Sequence, residues 1–395
     1  MTNYAVLGLG LMGEAIVFDI LTHDNSSKVY GFELNEIRRN QVKDKFNSFG
    51  ERFETYHLDL NTSMGFEESS LVDQIKNNEI SIVFGAIDYK FNVYLTELCI
   101  HTRSNFFDLG GNPDIVRSQQ KLDEAAKNAG IAVIPDLGLA PGMANILAAY
   151  IMGKFEKLDE CHIRVGGLPQ PDYKKSILNY QQVFSIRGLT NEYLEEAIVI
   201  RNSKIQKVNS MTEVEEIKFN EPYGWLEAFQ TAGGTSSLPE LYEGKISELT
   251  YKTIRYPGHA QFFQFLIEYE LLSSEENKNL NNINPREVIE FYLQKNLPKN
   301  DPDVVLLRII VCGTIKGKTI MIKYDMIDHY DPEAKFSAMA RTTAYPISII
   351  GQMVANGTIG EKGVLTSETS VPGKEFLEEL NKRNINIEIS ESEMN

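Results

Sequence analysis

A glycine-rich segment near the N-terminus carries the most informative chemical pattern of this chain. Gly8–Gly13 has the order G-x-G-x-x-G, follows the apolar run Tyr4–Leu7 and opens a helical pattern that continues to Leu21. A strand that turns at glycines into a helix directs the free N–H groups of that helix at a pyrophosphate. We therefore expect a dinucleotide to bind at Gly8, Gly10, Leu11, Met12 and Gly13.

An acidic residue lies at the distance from these glycines that is typical of a dinucleotide site. The apolar run Lys28–Phe32 ends in Glu33, 20 residues after Gly13. A carboxylate there accepts hydrogen bonds from the adenosine ribose hydroxyls and repels a 2′-phosphate. The pattern predicts NAD as the cofactor, in preference to NADP. The alternative is a glycine-rich turn of an ordinary α/β sheet, with Glu33 at a solvated strand end.

The elements that must position this site alternate between strand and helix patterns up to about residue 138. Each short apolar run is followed by small or acidic residues, which predicts a parallel sheet covered on both faces. The further runs are Glu54–Leu58, Ile80–Phe84, Phe106–Phe107 and Ile131–Ile134. The fold class is therefore α/β, with a Rossmann dinucleotide-binding domain over residues 1–138.

Residues beyond the strand ends of this sheet are candidates to contact the cofactor, because ligands of parallel sheets bind there. We expect Asp59 to contact the adenine and Ala86 to line the floor under the cofactor. Gly110 and Gly111 let the backbone approach the ribose and nicotinamide closely. A strand-end turn is the alternative interpretation of this glycine pair.

Residues 139–335 have longer alternating strand patterns, which predict an α+β domain for substrate binding and dimerisation, with a largely antiparallel sheet. The patterns lie at His162–Val165, Ile198–Arg201, Val304–Cys312 and Lys318–Tyr324. We expect the glycine pair Gly166 and Gly167 to form the edge of the substrate cleft, or alternatively a strand-end turn. A sheet of this length often pairs across a two-fold axis, so a homodimer or higher homo-oligomer is expected.

The C-terminal part is predicted to return to the first domain. Met339–Asn356 has the pattern of one apolar helix, so residues 336–395 are expected to pack on the nucleotide-binding domain. The last segment, Glu388–Asn395, is acidic and is expected to be frayed.

Composition excludes several classes of function. The formal net charge of −16 over 395 residues disfavours nucleic acid and anionic membranes as partners. No apolar run is long enough to span a bilayer, and no basic region precedes the first apolar strand as in a signal peptide. Cys99, Cys161 and Cys312 are isolated, which predicts buried thiols in a reducing compartment and no metal site. We expect a cytoplasmic protein.

Several ordered blocks of residues resemble the saccharopine dehydrogenase-like family, from Val6 to about Ile387. The blocks are Gly138–Asn145, Val165–Pro169, Leu178–Tyr180, Phe184–Arg187, Arg255–His259 and Met339–Thr343. Within the family, the small residue Ala140 before the Pro-Gly pair is similar to the branch that oxidises lysine, the lysine 6-dehydrogenases. The tryptophan that this branch tends to carry near Phe184 is absent, since Trp225 is the only tryptophan.

The resemblance implies an enzyme that uses NAD to oxidise the ε-amine of L-lysine to the 6-semialdehyde with release of ammonia. A first alternative is a dehydrogenase or reductase of a secondary amine, such as saccharopine or a carboxylated polyamine of the carboxynorspermidine type. That reaction requires at least two basic side chains around the substrate, for which Arg164, Arg187, Arg201 and Arg255 are available. A second alternative is a non-catalytic NAD-binding regulatory protein.

Three residues are candidates for proton transfer. Asp136 follows a strand end and is either a catalytic carboxylate or a turn residue. His259 titrates in a useful range, although an isolated histidine is more often structural. Tyr180 either contacts the reacting amine or belongs to the core.

Two arginines are candidates to bind the substrate carboxylate. Arg255 and Arg187 could each form a bidentate pair with a carboxylate. Each could instead form a salt bridge within the protein, and we favour Arg255 because it lies in the same block as His259.

Overall fold

The chain divides into two compact units. The computed structural model describes residues 2–60, 65, 66, 69–276, 278 and 281–394. The first unit comprises residues 1–150 and 340–384, and the second comprises 151–339 and 385–395. These boundaries differ from the predicted ones in two places. The helix that follows residue 138 belongs largely to the first unit, and the last eleven residues belong to the second.

The first unit contains a parallel sheet with the strand order β15-β6-β5-β4-β1-β2-β3. Elements are numbered along the whole chain. The strands are β1 Asn3–Leu7, β2 Lys28–Glu33, β3 Phe53–His57, β4 Ile82–Gly85, β5 Asn105–Asp108, β6 Ala132–Ile134 and β15 Gly363–Val364. The helices are α1 Leu11–His23, α2 Glu36–Lys45, α3 Ser70–Asn77, α4 Asn92–Thr102, α5 Pro113–Gln120, α6 Asp123–Ala129, α7 Met143–Met152, α12 Ala338–Ala355, α13 Ser367–Ser370 and α14 Gly373–Lys382.

This topology confirms the predicted Rossmann-like fold. The central strands are short and apolar, and Tyr4–Leu7 and Ile82–Phe84 are buried almost completely. Strands that are buried on both faces have continuous apolar runs, as the sequence pattern required. The seventh strand, β15, comes from the returning C-terminal segment and pairs in parallel with β6.

A buried ion pair joins the N-terminal and C-terminal segments of the first unit. Arg383 donates through Nε to Asp19 Oδ1 at 2.7 Å, and both side chains are almost completely buried. The other carboxylate oxygen of Asp19 accepts from Ser348 Oγ at 2.7 Å and Gln352 Nε2 at 3.1 Å. The Asp19 carboxylate on α1 therefore binds side chains of α12 and the side chain of Arg383, which directly follows α14.

The pKa of Asp19 reflects two opposing effects. Burial raises it, but the charge of Arg383 and the hydrogen bond from His23 outweigh burial, so the pKa lies below its ordinary value. A carboxylate with a depressed folded-state pKa stabilises the fold fully above its unfolded pKa of about 3.9. Its contribution is lost as the pH falls from there through the folded-state pKa.

The second unit contains a mixed, mostly antiparallel sheet with the order β10-β11-β12-β7-β13-β14-β16, and with β8 and β9 attached through β12. Only β12 and β7 pair in parallel among its described strands. The strands are β7 Lys157–Pro169, β8 Ala197–Arg201, β9 Lys204–Val208, β10 Glu215–Lys218, β11 Trp225–Gln230, β12 Glu248–Arg255, β13 Asp303–Ile315, β14 Lys318–His329 and β16 Glu388–Glu393. The helices are α8 Ile186–Leu194, α9 Leu238–Tyr242, α10 His259–Glu268 and α11 Pro285–Asn296.

Two expectations about this unit are wrong. A strand-end turn is wrong for Gly166 and Gly167, because both lie inside the central strand β7. A Cβ at Gly166 would approach the Ile254 carbonyl oxygen to 2.5 Å, and one at Gly167 would approach Met339 Cε to 2.4 Å. The glycines therefore permit close packing. The acidic tail also forms a strand, β16, which pairs antiparallel with β14.

Two negative findings apply to the described residues. None of their helices combines the length and apolarity needed to cross a membrane. Within the same part of the chain, His, Cys, Asp and Glu side chains do not gather in groups of three that could hold a metal ion. The three cysteines are buried and free.

The Asp19–Arg383 pair allows a direct test of how the first unit is closed. Asp19→Ala removes the buried carboxylate partner of Arg383 and leaves only the partly exposed Glu379; breaking a buried ion pair in this way destabilises a protein by about 3–5 kcal/mol. We expect urea unfolding at pH 7 to show this loss. Arg117→Ala, which removes an exposed salt bridge with Asp114, should change the free energy of unfolding by at most about 0.5 kcal/mol. Equal effects of the two substitutions would contradict a central role for the buried pair.

Candidate functional site

The loop between β1 and α1 has the geometry of a phosphate-binding turn. Gly8 has φ +88°, and a Cβ there would lie 2.6 Å from the Ala86 carbonyl oxygen. A Cβ at Gly13 would lie 1.8 Å from the Gly8 carbonyl oxygen, so this glycine lets α1 pack directly on the loop. Gly10 is different, because its Cβ position has no protein atom within 4 Å. A substituent there would enter the space that a pyrophosphate requires.

The first turn of α1 is available for an anion. Gly10 occupies the N-cap position and no side chain caps the helix. The free N–H groups of the first turn and the helix dipole both favour a negative charge at this end. Leu11, the first helical residue, is 58% exposed, and Met12 follows it in the same turn. The residues present thus fit the phosphates of a dinucleotide.

Glu33 connects the strand end to the glycine loop. Its Oε2 accepts from the Leu9 N–H at 2.9 Å, and its Oε1 accepts from the Asn35 N–H at 2.8 Å. Each carboxylate oxygen has a second lone pair that can accept a hydrogen bond from a ribose hydroxyl. Arg39 donates to the Glu33 carbonyl oxygen at 3.1 Å and Arg38 donates through Nε to the Leu9 carbonyl oxygen at 2.6 Å. Arg39 therefore lies beside the backbone of Glu33, whereas Arg38 also forms an ion pair with Glu14 on α1.

The other predicted cofactor residues lie beyond the strand ends of the same sheet. Ala86 directly follows β4, and its N–H donates to the Leu7 carbonyl oxygen at 2.9 Å, next to the glycine loop. Asp59 is exposed and lies two residues beyond β3. Gly110 and Gly111 follow β5 with φ of +70° and +118°. Positive φ values favour glycine, so they are consistent with both interpretations of this pair, a strand-end turn and a close approach of the backbone to the cofactor.

Asp108 organises the loops at this edge, and the sequence interpretation did not assign it a role. Its carboxylate accepts from Gln119 Nε2 at 2.7 Å and from the Gly110 N–H at 2.8 Å. Burial raises its pKa to about 6, although these bonds and one from the Asp136 backbone act in the opposite direction. The Asp136 side chain occupies the position that a Cβ on Gly110 would take, 1.8 Å from Oδ1. Asp136 is therefore held against the glycine pair.

In the second unit a chain of hydrogen bonds joins Arg255 to His259 through Tyr193. Arg255 Nε donates to the Tyr193 hydroxyl at 3.0 Å, and this hydroxyl lies 3.0 Å from His259 Nε2. His259 Nδ1 lies 3.2 Å from the Leu178 carbonyl oxygen. A carbonyl only accepts, so Nδ1 carries the proton and Nε2 accepts from Tyr193. All three side chains are buried.

This environment keeps His259 neutral. Burial and the charge of Arg255 lower its pKa to about 3. Both ring nitrogens are occupied within the protein, and the ring stacks on Phe263 with centroids 4.9 Å apart. The imidazole therefore holds the Tyr193 hydroxyl in place.

Tyr180 lies in the same cluster. The Arg255 guanidinium carbon is 5.1 Å from the centre of its ring, and the ring centres of Tyr180 and His259 are 5.4 Å apart. The structure thus brings together three of the five predicted catalytic and substrate-binding residues. Tyr193, which joins them, was missed. Its position on α8, 62 residues before Arg255, leaves no local signal in the sequence.

Arg187 has a different environment. It is half-exposed, and its Nε lies 2.9 Å from Glu290 Oε2. The same glutamate pairs with Arg286 at 2.7 Å, so these side chains join α8 to α11. The salt bridge that the sequence left open as an alternative is the contact that Arg187 makes.

Comparison with known proteins gives a consistent result. A model of the saccharopine dehydrogenase C-terminal domain matches residues 138–385. The mitochondrial alpha-aminoadipic semialdehyde synthase of Bos taurus is 22% identical over 279 residues, which cover 68% of this chain and 28% of that protein. The NADP(+), L-glutamate-forming saccharopine dehydrogenase of Pyricularia oryzae is 22% identical over 411 residues, covering 82% and 86%. The chain thus spans only about a quarter of the bovine relative.

The fold has a solved counterpart of the same extent. Apo saccharopine dehydrogenase (L-Glu forming) from Saccharomyces cerevisiae superposes with a TM-score of 0.82 at 18% identity, with both chains covered completely. At this identity the similarity establishes the fold, and the family model covers well over half of the chain. The chain belongs to the saccharopine dehydrogenase family.

Proposed function

We propose that this protein is an NAD-dependent oxidoreductase that oxidises the ε-amine of L-lysine to the 6-semialdehyde and releases ammonia. Two observations support an oxidoreductase of an amino acid. The first unit carries a loop that fits a dinucleotide, and the second carries a buried arginine suited to a carboxylate. Bound NAD would supply the acceptor for the hydride that leaves the carbon bearing the amine, and one water molecule would supply the aldehyde oxygen as the C–N bond breaks and ammonia leaves.

We choose lysine because of the ion pairs that the four candidate arginines form. An arginine already paired with a glutamate is not available to bind a carboxylate of the substrate. Three pair with glutamates: Arg164 with Glu215, Arg187 with Glu290 and Arg201 with Glu213. Arg255 has no carboxylate partner in the described part of the chain. A single guanidinium suits a substrate with one carboxylate, whereas saccharopine carries three.

The reaction requires the loss of a proton before oxidation, because an ammonium group has no lone pair to drive hydride departure. The ε-ammonium of lysine has a pKa of about 10.4, so presenting it as the amine near pH 7 costs on the order of 4–5 kcal/mol. His259, buried and neutral, serves to orient Tyr193. Asp136 remains our candidate to accept or relay the proton, whereas Tyr180, predicted as a catalytic residue, lies against Arg255 and is better placed to contact the carboxylate.

Secondary-amine chemistry is the second candidate function. It is favoured by the relatives, since the Pyricularia oryzae and Saccharomyces cerevisiae proteins are named as saccharopine dehydrogenases that use NADP(+) and form L-glutamate. This candidate would require the protein to bind two further carboxylates. Testing both substrates in one assay separates the two possibilities.

The first test is the formation of NADH, followed by absorbance, with purified protein, NAD and L-lysine. We expect NADH together with ammonia in equal amounts, and a rate that rises between pH 7 and about pH 10 as the amine loses its proton. Saccharopine with NAD and with NADP are the parallel reactions. Turnover of saccharopine without turnover of lysine would reject the lysine proposal in favour of the secondary amine.

Cofactor preference depends on Glu33 in this proposal. Glu33→Ser removes the negative charge that would repel a 2′-phosphate and leaves Arg39, which donates to the backbone of residue 33, as a nearby cation that can donate to that phosphate. We expect the ratio of kcat/KM for NAD over NADP to fall at least roughly tenfold, equivalent to about 1.4 kcal/mol. Glu36→Ser, an exposed carboxylate in the first turn of α2, is the control. An unchanged ratio in Glu33→Ser would show that another group selects the cofactor.

A further inference from the structure

Three polar groups in the Arg255 cluster lack a protein partner. Arg255 donates through Nε to Tyr193 and through Nη1 to the Ile254 carbonyl oxygen, but its Nη2 has no hydrogen bond within the described residues. The Tyr180 hydroxyl has none there either, although the side chain is 1% exposed. The carboxylate of Glu192, on α8, likewise forms no hydrogen bond or ion pair in the part of the chain that the structure describes.

These groups belong to one electrostatic environment. The charges of Arg255 and Glu192 attract each other. The negative charge of Glu192 also raises the pKa of three nearby tyrosines, Tyr180, Tyr193 and Tyr251. Within the described residues the two side chains form no ion pair, so their nitrogen and oxygen atoms are more than 4 Å apart. The buried Arg255 guanidinium and the half-buried Glu192 carboxylate thus influence each other, and each has hydrogen-bonding positions that no protein atom uses.

The unpaired atoms of Arg255, Tyr180 and Glu192 are not among the side-chain atoms that are fully buried without a partner, so each keeps some contact with solvent, and a hydrogen bond to a charged group there contributes more than a neutral one. Burial raises the pKa of Glu192 to about 7, against the effect of the Arg255 charge and with a small contribution from Glu195. A charged ligand that supplies both missing partners would replace water at these atoms. Such a ligand must carry both an anion and a cation.

We propose that Arg255 and Glu192 together bind the α-carboxylate and the α-ammonium of a free amino acid. Arg255 Nη2 and the Tyr180 hydroxyl donate to the carboxylate, and Glu192 accepts from the ammonium. The inference deepens the proposed function, on which it rests for the class of substrate, and adds a residue that selects free α-amino acids over N-acylated ones. The proposed contacts are to the amino-acid end of the substrate, away from the oxidised carbon. They are therefore the same whether the oxidised group is a primary or a secondary amine.

Binding of L-norleucine tests this inference without turnover, since norleucine has the amino-acid end of lysine and no ε-amine. Titration calorimetry with the full-length protein and saturating NAD should show binding to the wild type, weakened at least roughly tenfold in Glu192→Gln. Nα-acetyl-L-norleucine, which lacks the ammonium, should bind at least tenfold more weakly than norleucine to the wild type, and equally to both proteins. Glu195→Gln, an exposed carboxylate at the end of the same helix, should bind norleucine like the wild type.

Two further variants separate recognition from misfolding. Glu192→Asp keeps the charge and should bind norleucine better than Glu192→Gln, and Arg255→Lys should weaken norleucine and its acetyl derivative alike. Equal binding of norleucine by wild type and Glu192→Gln, or no binding by the wild type, would overturn the inference. Oxidation of lysine is measured separately. Glu192-dependent norleucine binding without lysine oxidation would retain this site and reject the proposed reaction.

Discussion

The first unit depends on one buried ion pair, because the chain that builds it is discontinuous. Residues 1–150 leave the unit and residues 340–384 return to it, so a specific contact must fix the returning segment. Asp19 and Arg383 supply this contact. Both side chains are almost completely buried, and Ser348 and Gln352 donate to the other carboxylate oxygen of Asp19. Arg383 pairs in addition with Glu379. The glycine loop, the first helix and the added strand β15 are all parts of the unit that this pair closes.

The second unit uses buried polar groups in the opposite way. In the Asp19 network both carboxylate oxygens have partners. In the Arg255 cluster the bonds through Tyr193 and His259 fix the guanidinium in orientation, while one edge of it is left without a partner. A rigid group with an unsatisfied edge is the arrangement expected of a binding site, where positions are held by surrounding contacts before the ligand arrives. Complete satisfaction would be expected of a purely structural network.

The glycine loop and the position of Glu33 beside it could be predicted from the sequence because their determinants are local. Gly8, Gly10 and Gly13 act within one turn, and Glu33 follows at a spacing set by one helix and one strand. The Arg255 cluster was predictable only as separate candidates. Tyr193 and Glu192 come from a helix far from Arg255 in the sequence, and no periodicity shows which hydroxyl meets which guanidinium. Gly166 and Gly167 were misinterpreted because paired glycines are usual in turns, whereas here they admit neighbouring atoms to the face of a strand.

The acidic tail was predicted to be frayed because a strand without a buried face lacks the alternation that identifies strands. β16 is exposed along its whole length, and Glu388, Glu391 and Glu393 stand on it. It forms one border of the nine-stranded sheet, where unpaired backbone groups would otherwise invite a strand from another molecule. A row of like charges repels a second copy of itself. The last strand of this chain thus protects the sheet against edge-to-edge aggregation.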